Sequence, residues 1–371
     1  MYVKSIKIIN FRNYENQNFE FSPNINIIYG KNAQGKTNLL ESIYFLSLGK
    51  SHRSISDKDL IKYGYNNLKL KADVIVNDFP KKFVIEINNN KKSYSIDNYN
   101  YKSLNDYVSN LKVIIFFPED LNLVKGSPDD RRRYINIQIS QLNKTYFKIM
   151  NDYNHLLKIR NDLLKEKLKT GIFNKNYFDI ITKYLVNKAG YIYLIRKKYV
   201  EKINELIGNY YKKISKSNKI KIEYIKNIDI EDNDYELIKE RLLEKYKKLE
   251  SAEMQAGLTL IGPHKDDFIF LMNDKDIKKY GSQGQQRMCI LALKLSEIEI
   301  FKKESNDNPI LLLDDVFSEL DDEKKNNLLK NVSKNIQTII TTTDLNNIDS
   351  KIIKKANLIE IENGMLITRG E

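Results

Sequence analysis

The sequence predicts an α/β domain cut in two by a long, mostly helical insertion. Three features carry that expectation. An apolar run, Ile25–Tyr29, leads into Gly30-Lys31-Asn32-Ala33-Gln34-Gly35-Lys36-Thr37 and then into helical spacing at Leu39, Leu40, Ile43 and Leu46. A second apolar run, Ile310–Leu313, ends in the pair Asp314-Asp315. Between them, from about 127 to 251, the texture is that of amphipathic helices.

Taken in order, two-residue alternation at Ile6 and Ile8, and again at Phe19 and Phe21, gives two strands before the buried one at 25–29. Gly49 is placed to end the helix that follows the glycine-rich segment. Alternation returns over 68–97, with Asn88-Asn89-Asn90 as a hairpin turn, and Val113–Phe117 reads as a buried strand. Ser127-Pro128-Asp129-Asp130 combines a capping residue, proline at the first helical position and an acid at the third, which starts a helix. Long helices run from there to about 216, broken near Gly171. Lys219–Ile225 alternates as a strand, and one more helix covers roughly 235–255. After Gly262 the α/β pattern resumes. It reads as a strand at 268–271, a helix from Gln285 to about Lys303, the strand at 310–313, a helix near 322–334 and a strand at 336–341. These boundaries predict one domain from 1–126 plus 252–371, with an arm at 127–251 inserted in it.

Composition narrows the function classes. A chain of 371 residues, 41% apolar and 30% charged, is globular and long enough for two or three domains. Its apolar runs fall short of the about 20 residues that cross a bilayer, so no membrane association is expected. No apolar leader precedes Lys4, Lys7 and Arg12, which predicts a cytoplasmic location. The single Cys289 leaves no intramolecular disulfide and no Cys-based zinc site. The net charge is +13, and residues 131–250 hold that whole excess, with 28 basic side chains against 15 acidic. A field so concentrated points to an anionic partner such as nucleic acid, although a lysine-rich solvated helical face gives the same count.

The motifs speak of nucleotide chemistry. Residues 30–37 match GxxxxGK[ST] between a predicted strand and a predicted helix. The glycines let successive backbone N–H groups curl round a β-phosphate, and the helix dipole adds to them. Gly30, Lys31, Asn32, Ala33, Gln34, Gly35, Lys36 and Thr37 are therefore the expected ATP-binding residues, with Lys36 on the β- and γ-phosphates and Thr37 on Mg²⁺. Asp314 ends its strand where a parallel sheet sets it beside this loop, as a second metal ligand. Asp315 is placed to position the attacking water as a general base. Lys36, Asp314 and Asp315 are the candidate catalytic set.

Ser282-Gln283-Gly284-Gln285-Gln286-Arg287 opens a helix with a hydroxyl and a glycine, which suits an anion. It resembles the signature of ABC-type ATPases, which meets the γ-phosphate of ATP held by a second subunit. Ser282, Gly284 and Gln285 are the candidate contacts. Ser318-Glu319-Leu320-Asp321, after the paired acids, resembles the D-loop of the same group.

Further segments make the resemblance specific. They are Asn10-Phe11-Arg12-Asn13-Tyr14, the continuation Asn38-Leu39-Leu40-Glu41, Lys125-Gly126-Ser127-Pro128 ahead of Arg131-Arg132-Arg133, and Gly262-Pro263-His264-Lys265-Asp266-Asp267. With these the chain resembles, over essentially its whole length, the bacterial RecF recombination-mediator family. The resemblance implies an ABC-type (SMC-like) P-loop ATPase head with an inserted helical arm. It implies an ATP-dependent homodimer that binds DNA (ssDNA, dsDNA and gapped junctions) in recombinational repair and replication restart. It also implies work with RecO and RecR to help RecA replace single-strand-binding protein. Asp315 stands where ABC transporters carry Glu, and a Thr within Thr341-Thr342-Thr343 where they carry a strand-end His. Both departures favour a slow switch, and the resemblance implies a weak, DNA-stimulated ATPase in that role. The long coiled coil of SMC proteins does not fit into the insertion.

The alternative reading is a P-loop kinase or nucleotide-dependent transferase whose basic arm is a substrate lid. A surface such as Ser282–Arg287, made for a second subunit, is what that enzyme would not need. Arg12, Asn13 and Arg53 are candidates for the nucleotide pocket or for the surface. Arg131–Arg133 are candidates for DNA contact or for a structural tie. His264 is expected to bond locally rather than hold a metal, and Cys289 to be a core thiol.

Overall fold

The computed structural model describes residues 1–54, 56–215, 219–228, 234–305, 307–316, 325 and 335–367. It divides into two compact units. One is made of Met1–Asp120, Lys212–Lys216 and Ile290–Glu371, the other of Leu121–Tyr211 and Ser217–Cys289.

The first unit opens with the hairpin β1 (Tyr2–Phe11) and β2 (Tyr14–Glu20), followed by β3 (Ile25–Tyr29) and α1 (Lys36–Leu48). β4 (Asn67–Val76), β5 (Phe79–Asn88), β6 (Lys91–Ile96) and β7 (Tyr99–Tyr101) complete an antiparallel sheet in the order β2-β1-β4-β5-β6-β7. Its turns at Asn77-Asp78, Asn89-Asn90 and Asp97-Asn98 put both residues at positive φ, the conformation that short Asn and Asp side chains tolerate best. α2 (Leu104–Tyr107) and β8 (Val113–Phe116) follow.

The second unit begins with α3 (Asn122–Lys125) and α4 (Pro128–Leu142). The predicted capping box is present: Asp130 N–H donates to Ser127 Oγ at 3.3 Å, and Ser127 N–H to Asp130 Oδ2 at 2.8 Å. α5 (Lys144–Thr170) ends at Gly171, which is left-handed at φ 76°. Then come α6 (Lys175–Ser215), β9 (Ile220–Ile225), α7 (Tyr235–Ala256), β10 (Asp267–Met272), β11 (Lys275–Asp276) and α8 (Ile277–Tyr280). β10 pairs antiparallel with both β9 and β11, Phe270 lying opposite Ile222. That pairing draws the segment after 252 into the unit of the helices, so this unit comprises Leu121–Tyr211 and Ser217–Cys289, where the sequence placed the arm at 127–251. Alternation identifies a strand but not its partner.

α9 (Gln283–Ser305) carries the chain back, and β12 (Ile310–Asp314), β13 (Thr338–Thr342), β14 (Asn357–Glu362) and β15 (Met365–Ile367) complete the first unit. Its second sheet has the order β15-β14-β3-β13-β12-β8, parallel throughout except for β15. β12 and β13 are buried at every position, as strands covered on both faces must be. α1 touches β1 and β5 of one sheet and β8, β12 and β13 of the other. It is buried from Leu39 to Leu48, with no solvent face. The helix expected near 322–334, residue 325 apart, and the segment Ser318–Asp321 lie outside the described residues. Among the described residues no helix is long and apolar enough to cross a membrane.

Candidate nucleotide site

β3 ends at Tyr29, and the chain turns through Gly30 at φ 149°, Ala33 at 64° and Gly35 at 110° before α1. The two glycines are required by their neighbours as well as by any phosphate. A β-carbon at Gly30 would collide with the Ile361 carbonyl on β14, and one at Gly35 would press on the Asn13 amide. The Asn363-Gly364 turn braces the loop from outside. Gly364 N–H donates to the Gln34 carbonyl at 3.0 Å, and Asn363 N–H to Gln34 Oε1. No side chain caps the first turn of α1, and Lys31, Asn32 and Ala33 ahead of it are exposed. Lys36 Nζ is held by the carbonyls of Gly30 (2.7 Å) and Lys31 (2.8 Å). Burial lowers its pKa, an effect that the charges of Asp315 and Asp314 oppose.

Thr37 Oγ1 donates to Asp314 Oδ1 at 2.9 Å, so the loop and the end of β12 meet as the sequence predicts. Burial raises the Asp314 pKa, against the hydrogen bonds of Thr341 and Thr37 that lower it. Thr341 donates to the same Oδ1 at 2.7 Å. Asp315 is left-handed at φ 50°, and its N–H donates to Thr341 Oγ1 at 2.9 Å. Thr37 and Asp314 form a hard oxygen-donor pair of the kind that suits Mg²⁺, a cation usually held by one or two protein oxygens plus phosphate and water.

Arg12 and Asn13 separate. Asn13 lies against the loop, giving Nδ2 to the Gln34 carbonyl (3.2 Å) and taking Asn38 Nδ2 on Oδ1 (2.8 Å). Arg12 turns away to the fully buried Glu41, with Nε and Nη2 each 2.9 Å from its carboxylate. Burial pushes the Glu41 pKa up, but the bonds from Arg12 and Ser51 outweigh it and hold the carboxyl below its usual range. Arg53 stays 44% exposed, 3.8 Å from Glu41, and donates to Asn38 Oδ1 at 3.2 Å. Its charge is one of the influences lowering the Asp314 pKa.

The signature segment forms a reciprocal cap at the start of α9. Ser282 N–H donates to Gln285 Oε1 at 2.8 Å, and Gln285 N–H to Ser282 Oγ at 3.3 Å. Ser282, Gln283 and Gly284 are exposed. Further along α9, fully buried Lys294 donates to the Ile115 carbonyl at 2.7 Å and pairs with Asp120 at 3.1 Å. Cys289 is a buried thiol whose pKa burial raises.

Arg131 makes a fork on Asp267 (2.6 and 2.9 Å), and Arg132 bonds the Asp266 carbonyl, which gives both a structural role within the second unit. His264 Nδ1 meets Tyr153 Oη at 2.6 Å and Nε2 the Thr259 carbonyl at 3.2 Å, the local bonding expected. Burial takes its pKa down to about 4. Sequence reasoning missed Thr341 as a partner of the acids and gave Glu41 no role. A buried acid in a helix, paired with an arginine 29 residues earlier, leaves no local pattern.

Residues 2–364 match the RecF/RecN/SMC N-terminal domain model. The DNA replication and repair protein RecF of Listeria monocytogenes is 38% identical over 365 residues, 98% of this chain and 99% of that protein. RecF of Geobacillus sp. is also 38% identical, with 98% of each chain covered. A solved structure of the recombination mediator RecF with ATP, of the RecFOR pathway, is 34% identical over 100% of this chain and 98% of its own, at a TM-score of 0.92. The Smc head domain of Pyrococcus furiosus, 16% identical at a TM-score of 0.55 over 98% of this chain and 95% of its own, shares the fold.

Proposed function

The chain belongs to the RecF family, and from that premise we propose an ATP-dependent DNA-binding protein of recombinational repair and replication restart. The carrying observation is the braced loop 30–37, joined by Thr37 to Asp314, in a chain that aligns end to end with RecF relatives. ATP binds on the N–H groups of residues 30–37, with Lys36 supplying positive charge. Mg²⁺ would be held by Thr37 and Asp314, where it would neutralise phosphate charge. Asp315 orients water for a weak, DNA-stimulated hydrolysis that resets the switch. Ser282, Gly284 and Gln285 close on ATP held by a second copy, giving an ATP-dependent homodimer. The exposure of Ser282 and Gly284 supports this, and so does the small size of the capping group. The partners are DNA with single-strand/double-strand junctions, RecO and RecR, and the location is cytoplasmic. The relatives' names favour this reading over a small-molecule transferase.

Sedimentation with and without a non-hydrolysable ATP analogue and gapped duplex tests the reading. The wild-type chain dimerises on the analogue and then binds DNA. Ser282→Arg binds ATP but stays monomeric, while Asp315→Asn accumulates as an ATP-bound dimer. Wild-type behaviour in both variants would remove the two-subunit site, and a wild-type chain that neither dimerises nor binds DNA would remove the function.

A further inference from the structure

We infer that Thr341 is a positioning residue of the nucleotide site, whose one hydroxyl sets the geometry of Asp314 and Asp315 together. The inference rests on the nucleotide reading above. β12 and β13 are parallel neighbours in register, with Asp314 opposite Thr341. Thr341 is 1% exposed, so its hydroxyl must find partners inside the protein. It accepts the Asp315 N–H at 2.9 Å. That leaves its single proton for an acceptor, and Asp314 Oδ1 at 2.7 Å is far better placed than the Leu313 carbonyl at 3.5 Å.

Two consequences follow. Asp314 Oδ1 is fixed by hydroxyl donors from two directions, Thr341 on β13 and Thr37 on the loop. Asp315 is held at φ 50°, a conformation disfavoured for any residue with a β-carbon, by a hydrogen bond from its own N–H. The direction in which the Asp315 side chain leaves the backbone is therefore tied to the same hydroxyl. Burial alone does not call for threonine here. Ile339 and Ile340 fill the same strand, and valine would bury a side chain of the same shape. The other threonine at this strand end behaves differently, Thr342 bonding the Asp344 carbonyl at 2.9 Å.

The test compares Thr341→Val, which removes the hydroxyl at constant shape, with Thr341→Ser, which keeps it. Binding of a fluorescent ATP analogue is measured without and with Mg²⁺, together with steady-state turnover. Losing a hydrogen bond to a charged group predicts that Thr341→Val lowers the affinity gain from Mg²⁺, and turnover, by about tenfold or more. Mg²⁺-free binding should stay within about threefold, since only Mg²⁺-dependent and transition-state terms use these acids, whereas KM, measured with Mg²⁺, rises with the affinity that is lost. Thr341→Ser restores both quantities to within about threefold. A merely structural threonine would lower the melting temperature without changing the Mg²⁺ response. If Thr341→Val does not fold, Thr341→Ala takes its place with the same expectation. A wild-type Mg²⁺ response without the hydroxyl, or a Thr341→Ser variant as impaired as the valine, overturns the inference. Lys36→Ala is run alongside. If it binds nucleotide like wild type, the nucleotide reading fails; if it loses nucleotide while Thr341→Val behaves as wild type, this inference alone fails.

Discussion

Glu41 with Arg12 and Glu253 with Arg160 are the same chemical pair in different surroundings. In the second unit Arg160 is 1% exposed, and every side-chain nitrogen has an acceptor: Thr182 at 2.9 Å, Thr259 at 2.8 Å and Glu253 at 2.6 Å. The rings of Phe178 and Tyr246 cover it at 4.5 and 4.7 Å. In the first unit Glu41 is equally buried, but Arg12 is 20% exposed and sits on a left-handed backbone at φ 54°. Asn10, Ala33 and Asp315 of the same unit are left-handed too, in addition to the hairpin turns. The pairs differ in what they leave over. The Arg160–Glu253 pair is saturated by its neighbours, whereas the cation of the Arg12–Glu41 pair is itself left-handed and partly exposed. Strain of this kind persists only where the surrounding structure over-determines it.

The largest effect should come from breaking the saturated pair. Arg160→Met leaves Glu253 buried without its cation and is expected to cost about 3–5 kcal/mol in urea unfolding. ATP affinity should stay within about threefold. A parallel loss of ATP affinity would end the distinction between the two regions.

Lys36→Ala is the converse. Removing the ammonium proposed to meet the phosphates should cost about a hundredfold or more in ATP affinity, with unfolding changed by less than about 1 kcal/mol. A variant that unfolds early would make Lys36 a structural residue of its loop.

These contrasts show what was legible in the sequence. The loop 30–37, the apolar strand ending in Asp314 and the Ser127 capping box are local patterns, and each was found where the spacing predicts it. What escaped reading depends on chain segments far apart. The carbonyl that forces Gly30 to be glycine belongs to Ile361, and Glu253 is joined to Arg160 across 93 residues. Gln337 is fully buried and bonds Val3 and Ser22 of the opposite end of the chain. The pairing of β9 with β10, which moves the unit boundary to 289, is of the same kind. Residue type and period say that a side chain is buried, and only the fold says against what.

A smaller effect compares the two regions through their histidines. His52 in the first unit and His264 in the second are each taken down to a pKa of about 4, chiefly by burial. The unfolded imidazole protonates near 6.5, above the folded value, so acid favours unfolding. The stability contribution is complete above about pH 6.5 and is lost as pH falls toward 4. Each histidine should cost about 1.5 kcal/mol between pH 6.5 and 5. His264→Gln should flatten the slope for the second unit only, and His52→Gln for the first. Urea unfolding at several pH values reads this, and unchanged slopes in both variants would mean that the rings titrate normally.

The smallest effect concerns the basic surface, where no single side chain is decisive. Lys212, Lys213 and Lys219 are exposed in a stretch, 131–220, that carries 21 basic side chains against 6 acidic; Lys216 lies outside the described residues. If these lysines track phosphates, the log–log dependence of duplex affinity on salt falls by about 0.9 for each phosphate that is no longer neutralised. Reversing Lys212, Lys213 and Lys219 to Glu should then flatten the slope and weaken all sequences alike. If closed nucleotide units make the DNA surface instead, the lysines add only long-range attraction. The same reversals would then slow association and leave the slope as it was, while Ser282→Arg would remove most of the affinity. The expected result is a shared surface, in which the lysine variant loses part of the slope and Ser282→Arg loses the ATP-dependent part of the affinity. A salt titration on wild type and both variants, with and without ATP, separates these cases. Unchanged slope and affinity in the lysine variant would leave this stretch as a solvated helical face, since a lysine that neutralises a phosphate cannot be reversed in charge without altering the number of counterions released.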